Sequence, residues 1–267
     1  MEPSADLILA NRAYLDHDSP PGGDAPSRAG NGGLLTAVRP VIAPWDGHTG
    51  TTWIGAGAGD FDREWADERG FELIPTEQGK LRHRRLFFDE VTWQAHYGAV
   101  ANSFFWPLLH LVREPLPDLT SYYPRPATPQ PADWQAYQRV NEQFAQAVLE
   151  EPGSGRSCWV HDYQLALVSK ILRDGGFKGP VGFFLHTPFP DVRICLRYLD
   201  ESGREMFSGF IEGILGADLV GLQSVRDAER FCAAAQELCG ATLAEGGLSV
   251  SGRTVKVAAY PVGMDAE

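Results

Sequence analysis

From Ser157 onward, short apolar runs alternate with longer amphipathic ones: "SCWV", then "YQLALVSKILRDGG", "VGFFL", the segments 191–199 and 204–215, "ADLVGL" and "VRDAERFCAAAQELCG". The short runs are apolar throughout, with no polar alternation, which is what strands buried on both faces require. The stretches between them are long enough to cross back as helices. This rhythm predicts βαβ units, and hence a parallel sheet covered by helices on both faces, an α/β Rossmann-like architecture. A hairpin follows in "LSVSGRTVKVAAYP", with Ser251-Gly252 near its turn.

The upstream half is less regular. "DLILANR" reads as a strand and leads into a polar loop over residues 14–31 rich in Gly, Pro and Asp. "GGLLTAVRPVI" starts a helix just after Gly32 and Gly33. "TTWIGAGAG", "FELIPT" and "RRLFF" are strands, and residues 89–112 read as helical with Pro107 forcing a break or kink. Residues 113–131 hold many prolines and read as an irregular connection. In "ADWQAYQRVNEQFAQAVLEE" the residues Trp134, Tyr137, Val140, Phe144 and Val148 fall at helical spacing, and Asp133 can cap the start. No internal repeat or low-complexity tract interrupts the chain, so residues 1–267 read as a single lobe.

The bulk properties exclude several classes. A chain of 267 residues, 43% hydrophobic, buries a sizeable core, and a formal net charge of −12 argues against a nucleic-acid partner. It leaves room for an anionic small molecule, since a few local arginines override the global sign. The start lacks a basic segment followed by an apolar one, and no run of about 18 apolar residues occurs, so neither a signal peptide nor a membrane span is expected. Cys158, Cys195, Cys232 and Cys239 show no C-x-x-C spacing and read as buried free thiols of a cytoplasmic protein. No metal-ligand spacing is present, and no cofactor is expected.

Ligands of open parallel sheets bind outside the carboxyl ends of the strands. Arg12, His161, Asp162 and His186 all fall at such ends, and Pro188 and Pro190 turn the chain away so that His186 stays at the rim. One histidine there, taken alone, reads as a cap bonded to backbone; four polar strand ends together read as a site. Gly32 and Gly33, opening a helix, let backbone N–H groups approach a phosphate, although glycines also serve as ordinary turn residues there. Tyr97 and Trp106 suit a sugar, each having a flat apolar face and one polar hydrogen. On one straight helix, nine steps of roughly 100° would put them on opposite sides. Sharing a site then needs a break, for which Gly98 and Asn102 offer a place; core packing is the other reading.

Taken together and in this order, "FFWPLLH", "RVNEQFA", "WVHDYQL", "GFFLHTPFP" and "GLQS", with "NR" and "GGL" upstream, resemble the retaining GT-B glycosyltransferases that include trehalose-6-phosphate synthase and glucosylglycerol-phosphate synthase. The resemblance covers the whole chain and is strongest from about Asp89 onward. It implies two Rossmann-like lobes facing across a cleft, the first mainly taking the acceptor and the second the nucleotide sugar. It implies that Arg12, Tyr97, Trp106 and Asp162 bind a sugar-phosphate acceptor, that Gly32 and Gly33 touch the donor, and that His186 lies beside the donor sugar. His186 and Asp162 are the residues it places nearest the chemistry, which needs no metal. UDP-glucose is the type of donor implied, with UDP, GDP and ADP left open. Glucose 6-phosphate is the first choice of acceptor and glycerol 3-phosphate the second.

Two departures qualify this. Many such synthases carry a second Trp in "WxGWSG", and here Ala56 in "WIGAGAG" takes its place. The Arg and Lys that neutralise the donor diphosphate would fall after the last residue, so the expectation is a lobe without its C-terminal nucleotide-sugar partner, inactive alone. Two other functions fit the same residues: a non-catalytic sugar-phosphate-binding or regulatory lobe acting with a partner chain, and a pseudo-glycosyltransferase coupling cyclitols. The sequence leaves a homo-oligomer open.

Overall fold

The structure, a computed structural model, describes residues 6–23, 27–29, 33–110, 127–151 and 156–262. In chain order its elements are β1 (Leu7–Arg12), β2 (Leu15–Asp16), β3 (Arg28–Ala29), α1 (Gly33–Val38), β4 (Thr52–Ala56), α2 (Asp62–Trp65), β5 (Phe71–Thr76), β6 (Gly79–Leu86), α3 (Glu90–Trp93), a wide helix over Gln94–Phe105, α4 (Trp106–Leu109) and α5 (Pro131–Leu149). Then come β7 (Cys158–His161), α6 (Val168–Asp174), β8 (Val181–Phe184), α7 (Val192–Tyr198), α8 (Glu201–Ile214), β9 (Leu219–Leu222), α9 (Val225–Cys239), β10 (Thr242–Ala244), β11 (Gly247–Val250) and β12 (Arg253–Ala259).

The main sheet is 10-stranded, in the order β10-β11-β12-β9-β8-β7-β1-β4-β6-β5. Strands β12, β9, β8, β7, β1, β4 and β6 run parallel, and antiparallel strands close both edges. The chain leaves β1 outward to β4, β6 and β5, then returns to the other side of β1 as β7 and winds away through β8, β9 and β12. The winding therefore reverses between β1 and β7. Helices crossing on opposite faces leave a crevice at such a reversal, outside the carboxyl ends of the two strands.

The apolar runs bury as their composition demands. On one face Leu7, Leu9, Val160, Phe183 and Val220 pack against α5, α6, α8 and α9 in one continuous core. On the other, Ile8, Ala10 and Trp53 meet Leu35 and Val38 of α1, with Ile42 beside them. The expected helix at "GGLLTAVRPVI" is only α1 followed by a 3-10 turn over Arg39–Val41, because Pro40 lacks the N–H that an α-helix would need there. The hairpin turn falls where expected: Ser251 (φ 48°) and Gly252 (φ 77°) both adopt the left-handed conformation that a two-residue turn requires.

The described parts of the polar loop after β1, residues 14–23 and 27–29, hold more structure than their composition suggests. β2 and β3 pair in a small antiparallel ribbon, and His17 pins it. The ring of His17 bonds the Ser27 hydroxyl at 2.8 Å and Glu72 at 2.8 Å, and its backbone N–H donates to Asp62 at 2.8 Å. Arg85, fully buried, joins Asp62 and Glu72 at 3.0 and 2.8 Å. A buried charge of this kind is tolerable only because both of its partners are charged and well placed.

The segment expected to be a kinked α-helix is continuous but wider. Gln94–Phe105 is a π-helix, and the N–H of Trp106 still reaches back to the carbonyl of Ala101. Bonding from i to i+5 gives roughly 4.4 residues per turn, so nine residues make about two full turns. Tyr97 and Trp106 thus come to the same side of the helix with no break at Gly98 or Asn102. The helix narrows to α4 at Pro107, whose missing N–H leaves the Ser103 carbonyl free, and that carbonyl accepts the Ala127 N–H at 3.3 Å instead.

The turn after β8 is fastened from α9. Asp227 in the first turn of α9 accepts the Phe189 N–H at 2.9 Å and bonds the capping Ser224. Replacing Asp227 by Ala leaves a buried N–H unpaired and weakens the cap, and is expected to cost about 2 kcal/mol. Urea denaturation measures this, and a loss below about 0.5 kcal/mol would show that the turn is held by other contacts.

Candidate active site

The crevice at the switch point is a cleft of about 170 Å³ lined by Asn11, Arg12, Tyr97, His161, Asp162 and Gln164, with Leu34, Leu35 and Trp53 among the apolar walls. Arg12 is the last residue of β1, and Asp162 follows the last residue of β7. The guanidinium of Arg12 lies over Tyr97 at 5.0 Å and over Trp93 at 5.5 Å, and those two rings stack 5.7 Å apart. Trp93 and Tyr97 stand four residues apart on successive helical turns, a spacing visible in the sequence but not singled out there. Arg12 makes no ion pair among the described residues; its guanidinium rests on aromatic faces, its charge also acts on the Asp16 carboxylate, and it can still meet an anion.

Asp162 is held tightly and at a cost. Its backbone lies at φ 72°, ψ 169°, a region that L-residues rarely occupy, and strain of this kind persists only where neighbours impose it. Its N–H donates to Phe184 O at 2.8 Å, and its Oδ1 accepts the His186 N–H at 3.1 Å. The turn beyond is fixed from α5: the Asn141 side chain donates to Gln164 O and accepts the Leu167 N–H, and Tyr137 donates to Tyr163 O at 2.5 Å. Burial pushes the Asp162 carboxyl up to about 7, against the pull of the His186 and Tyr163 N–H groups.

His186 lies two residues beyond β8, half-buried, with its Nε2 3.1 Å from the Nδ1 of His161. Burial lowers His186 to about 4 and lowers His161 well below its ordinary value, so both rings are neutral at pH 7. His186 opens not on the small cleft but on a larger groove of about 920 Å³, lined also by Trp159, Phe184 and Tyr260. His161 lines both spaces, as does α1: Leu34 and Leu35 face the cleft, while Thr36, Ala37 and Val38 face the groove. Gly33 opens α1 at this wall, whereas Gly32 lies outside the described residues. Trp106 is half-buried on α4 against His110 and is not part of the cleft lining.

The structure therefore brings Arg12, Tyr97 and Asp162 together, sets His186 next door through His161, and leaves Trp106 further along the helix. Ala56, buried at the end of β4 beside Arg12, supplies no large side chain to the cleft. Among the described residues no cluster of three or more metal-ligating side chains occurs, and no helix is long and apolar enough to cross a membrane.

A mostly parallel sheet flanked by helices, with polar residues at its switch point, is the Rossmann-like architecture found in GT-B glycosyltransferases. The sequence profile of glycosyltransferase family 20 matches residues 7–267, and the chain belongs to that family. It is 33% identical over 272 residues to a trehalose-6-phosphate synthase of Mycobacterium sp. (strain KMS), covering 98% of this chain and 49% of that protein. The corresponding synthase of Mycolicibacterium smegmatis is 33% identical over 270 residues, covering 97% of this chain and 47% of that protein. Among solved structures, an alpha,alpha-trehalose 6-phosphate synthase from Burkholderia multivorans superposes with a TM-score of 0.70 at 26% identity, over 98% of this chain and 50% of that one. A Burkholderia xenovorans synthase in complex with glucose-6-phosphate superposes with a TM-score of 0.66 at 26% identity, over 96% and 49%. The chain spans about half the length of the curated relatives it matches.

The raised Asp162 carboxyl has a consequence for stability. Its folded pKa of about 7 exceeds the ordinary 3.8, so the fold binds a proton that the unfolded chain releases, and Asp162 erodes stability as pH rises from about 4 to 7. Asp162→Asn keeps an acceptor for the His186 N–H and removes the charge. The variant is expected to match the unmodified protein near pH 4 and exceed it at pH 8 by about 2 kcal/mol, a value reduced for partial water access. Denaturant unfolding at the two pH values checks this; equal differences at both would show that the carboxyl titrates normally.

Proposed function

We propose that this chain is the acceptor-side lobe of a retaining glycosyltransferase that moves glucose from a nucleotide sugar such as UDP-glucose to a sugar phosphate, glucose 6-phosphate in the first instance. The observation that supports this most is the pair of spaces divided by a single wall. A small polar cleft carries Arg12, which makes no ion pair among the described residues, and a larger groove carries His186; α1 and His161 separate them. A transfer between two substrates needs two such compartments meeting at one point.

In this reading the Arg12 guanidinium holds the acceptor phosphate, a pairing its planar fork favours. Tyr97 offers a flat face to the sugar, and Trp106, brought to the same side by the wide helix, extends that surface toward the acceptor. Asp162 holds an acceptor hydroxyl; with a pKa near 7 its carboxyl can accept from that hydroxyl or donate to it. His186 bonds the donor sugar, and Gly33 with Gly32 approaches the donor at the start of α1. The bond from the sugar's anomeric carbon to the diphosphate breaks as the acceptor oxygen attacks the same face, and the acceptor proton passes to the departing diphosphate. The protein's part is positioning and charge stabilisation around an oxocarbenium-like centre. The residues that neutralise the diphosphate belong to a second lobe outside the residues of this chain, and the reaction takes place in the cytoplasm.

Calorimetric titration of the chain with glucose 6-phosphate tests the acceptor half. Binding is expected, weakened at least about tenfold (~1.4 kcal/mol) by Arg12→Ala. Failure of the unmodified chain to bind any sugar phosphate would overturn the reading.

A further inference from the structure

His161 is the least explained polar residue at the site. It is only 1% exposed, lines both the cleft and the groove, and makes one side-chain hydrogen bond, from Nδ1 to His186 Nε2. Its own Nε2 is buried with no hydrogen-bond partner among the described residues. Beside it lies the indole of Trp159, 4.3 Å between ring centres and tilted by 50°, which offers a weak π acceptor at most.

One proton lies between the two rings, and two arrangements are available. If His186 donated from Nε2, then His161 would carry its proton on the buried Nε2 and leave that N–H unpaired. If His161 donates from Nδ1, its Nε2 is a bare nitrogen, and unsatisfied acceptors are tolerated in interiors more often than orphaned N–H groups. We propose that His161 is a positioning residue that fixes the tautomer of His186: His161 Nδ1–H donates to His186 Nε2, so that His186 presents Nδ1–H to an oxygen atom of the molecule in the groove. The tautomer of an imidazole is set by the bond its other nitrogen makes, and this bond supplies that control. The neutrality of both rings, caused by their burial, is consistent with a single shared proton.

The inference concerns ligand chemistry. His186 Nδ1 has no hydrogen-bond partner among the described residues and is not among the fully enclosed polar atoms, so it is open to the groove. As an N–H it selects an acceptor, such as the hydroxyl or ring oxygen of a hexose. This deepens the function proposed above and rests on His186 meeting the donor sugar.

The test reads the tautomer directly. Two-bond proton–nitrogen correlation spectra of the unliganded chain at neutral pH are expected to show His186 protonated on Nδ1 and bare on Nε2. A His186 ring protonated on Nε2 would overturn the proposal. In His161→Phe the His186 ring is expected to relax to the Nε2–H form. In His161→Asn, whose amide nitrogen stands close to where Nδ1 was, the Nδ1–H form is expected to return. Retention of Nδ1–H in the phenylalanine variant would overturn the positioning role, and if that variant does not fold, the spectrum of the unmodified chain decides alone. In the full-length protein, glucosyl transfer is expected to fall at least tenfold in kcat for the phenylalanine variant and to recover in the asparagine variant. KM for the sugar phosphate is expected to stay unchanged. If the unmodified full-length protein transfers no glucose, the function reading fails, while the tautomer still decides this inference.

Discussion

The reversal of winding between β1 and β7 is the constraint on which the rest of the site depends. Adjacent parallel strands joined in one direction have their crossovers packed side by side, and the loops above them close off the strand ends. Where the direction changes, the connections diverge and leave an opening that no side chain has to be sacrificed to make. Arg12 ends one of these two strands and His161 the other, so residues about 150 positions apart in the chain meet through strand pairing alone. β1 and β7 are central strands, and one face of both packs into the main core through Leu7, Leu9, Cys158 and Val160, which fixes the meeting point from beneath.

Around that opening the fold adds local devices that hold polar groups in place. Asp162 is forced into a left-handed conformation and bonded on both sides. The buried amide of Asn141 braces the turn after it from a neighbouring helix. A separate network of His17, Asp62, Glu72 and Arg85 secures the chain just after β1, between that strand and the wall that α1 forms between the two spaces. These contacts stabilise the fold little in proportion to the desolvation they require. What they achieve is one arrangement of residues 15–23 and 27–29, on the way from β1 to the wall between the cleft and the groove.

Much of this was legible in the chain itself. The uninterrupted apolar runs specified the parallel strands, and residues such as Arg12, Asp162 and His186 could be placed at strand ends without knowing the strand order. Strand order was not legible, since nothing local in "CWVH" says that β1, not β6, is its neighbour. The ribbon inside the 14–29 loop was missed because its stability comes from distant partners, Glu72 and Asp62, and not from its own composition. The wide helix was missed for a different reason: a period of 3.6 is assumed whenever apolar residues recur, and nothing in "QAHYGAVANSFF" announces a slower turn. The role of His161 lies in a tautomer, which depends on a neighbour 25 residues away.

The π-helix carries one more implication, about how this lobe can vary. An α-helix accommodates an inserted or deleted residue by rotating everything beyond it through about 100°. Here the slow twist sets the spacing between the aromatic platform at one end and α4 at the other, so the number of residues in the segment acts as a gauge block. Losing a single residue between Tyr97 and Trp106 invites the segment to snap to the tighter, more favourable winding, and the two rings would then swing apart although each remained in the sequence. Length, as much as composition, therefore sets how the two rings stand to each other in this stretch.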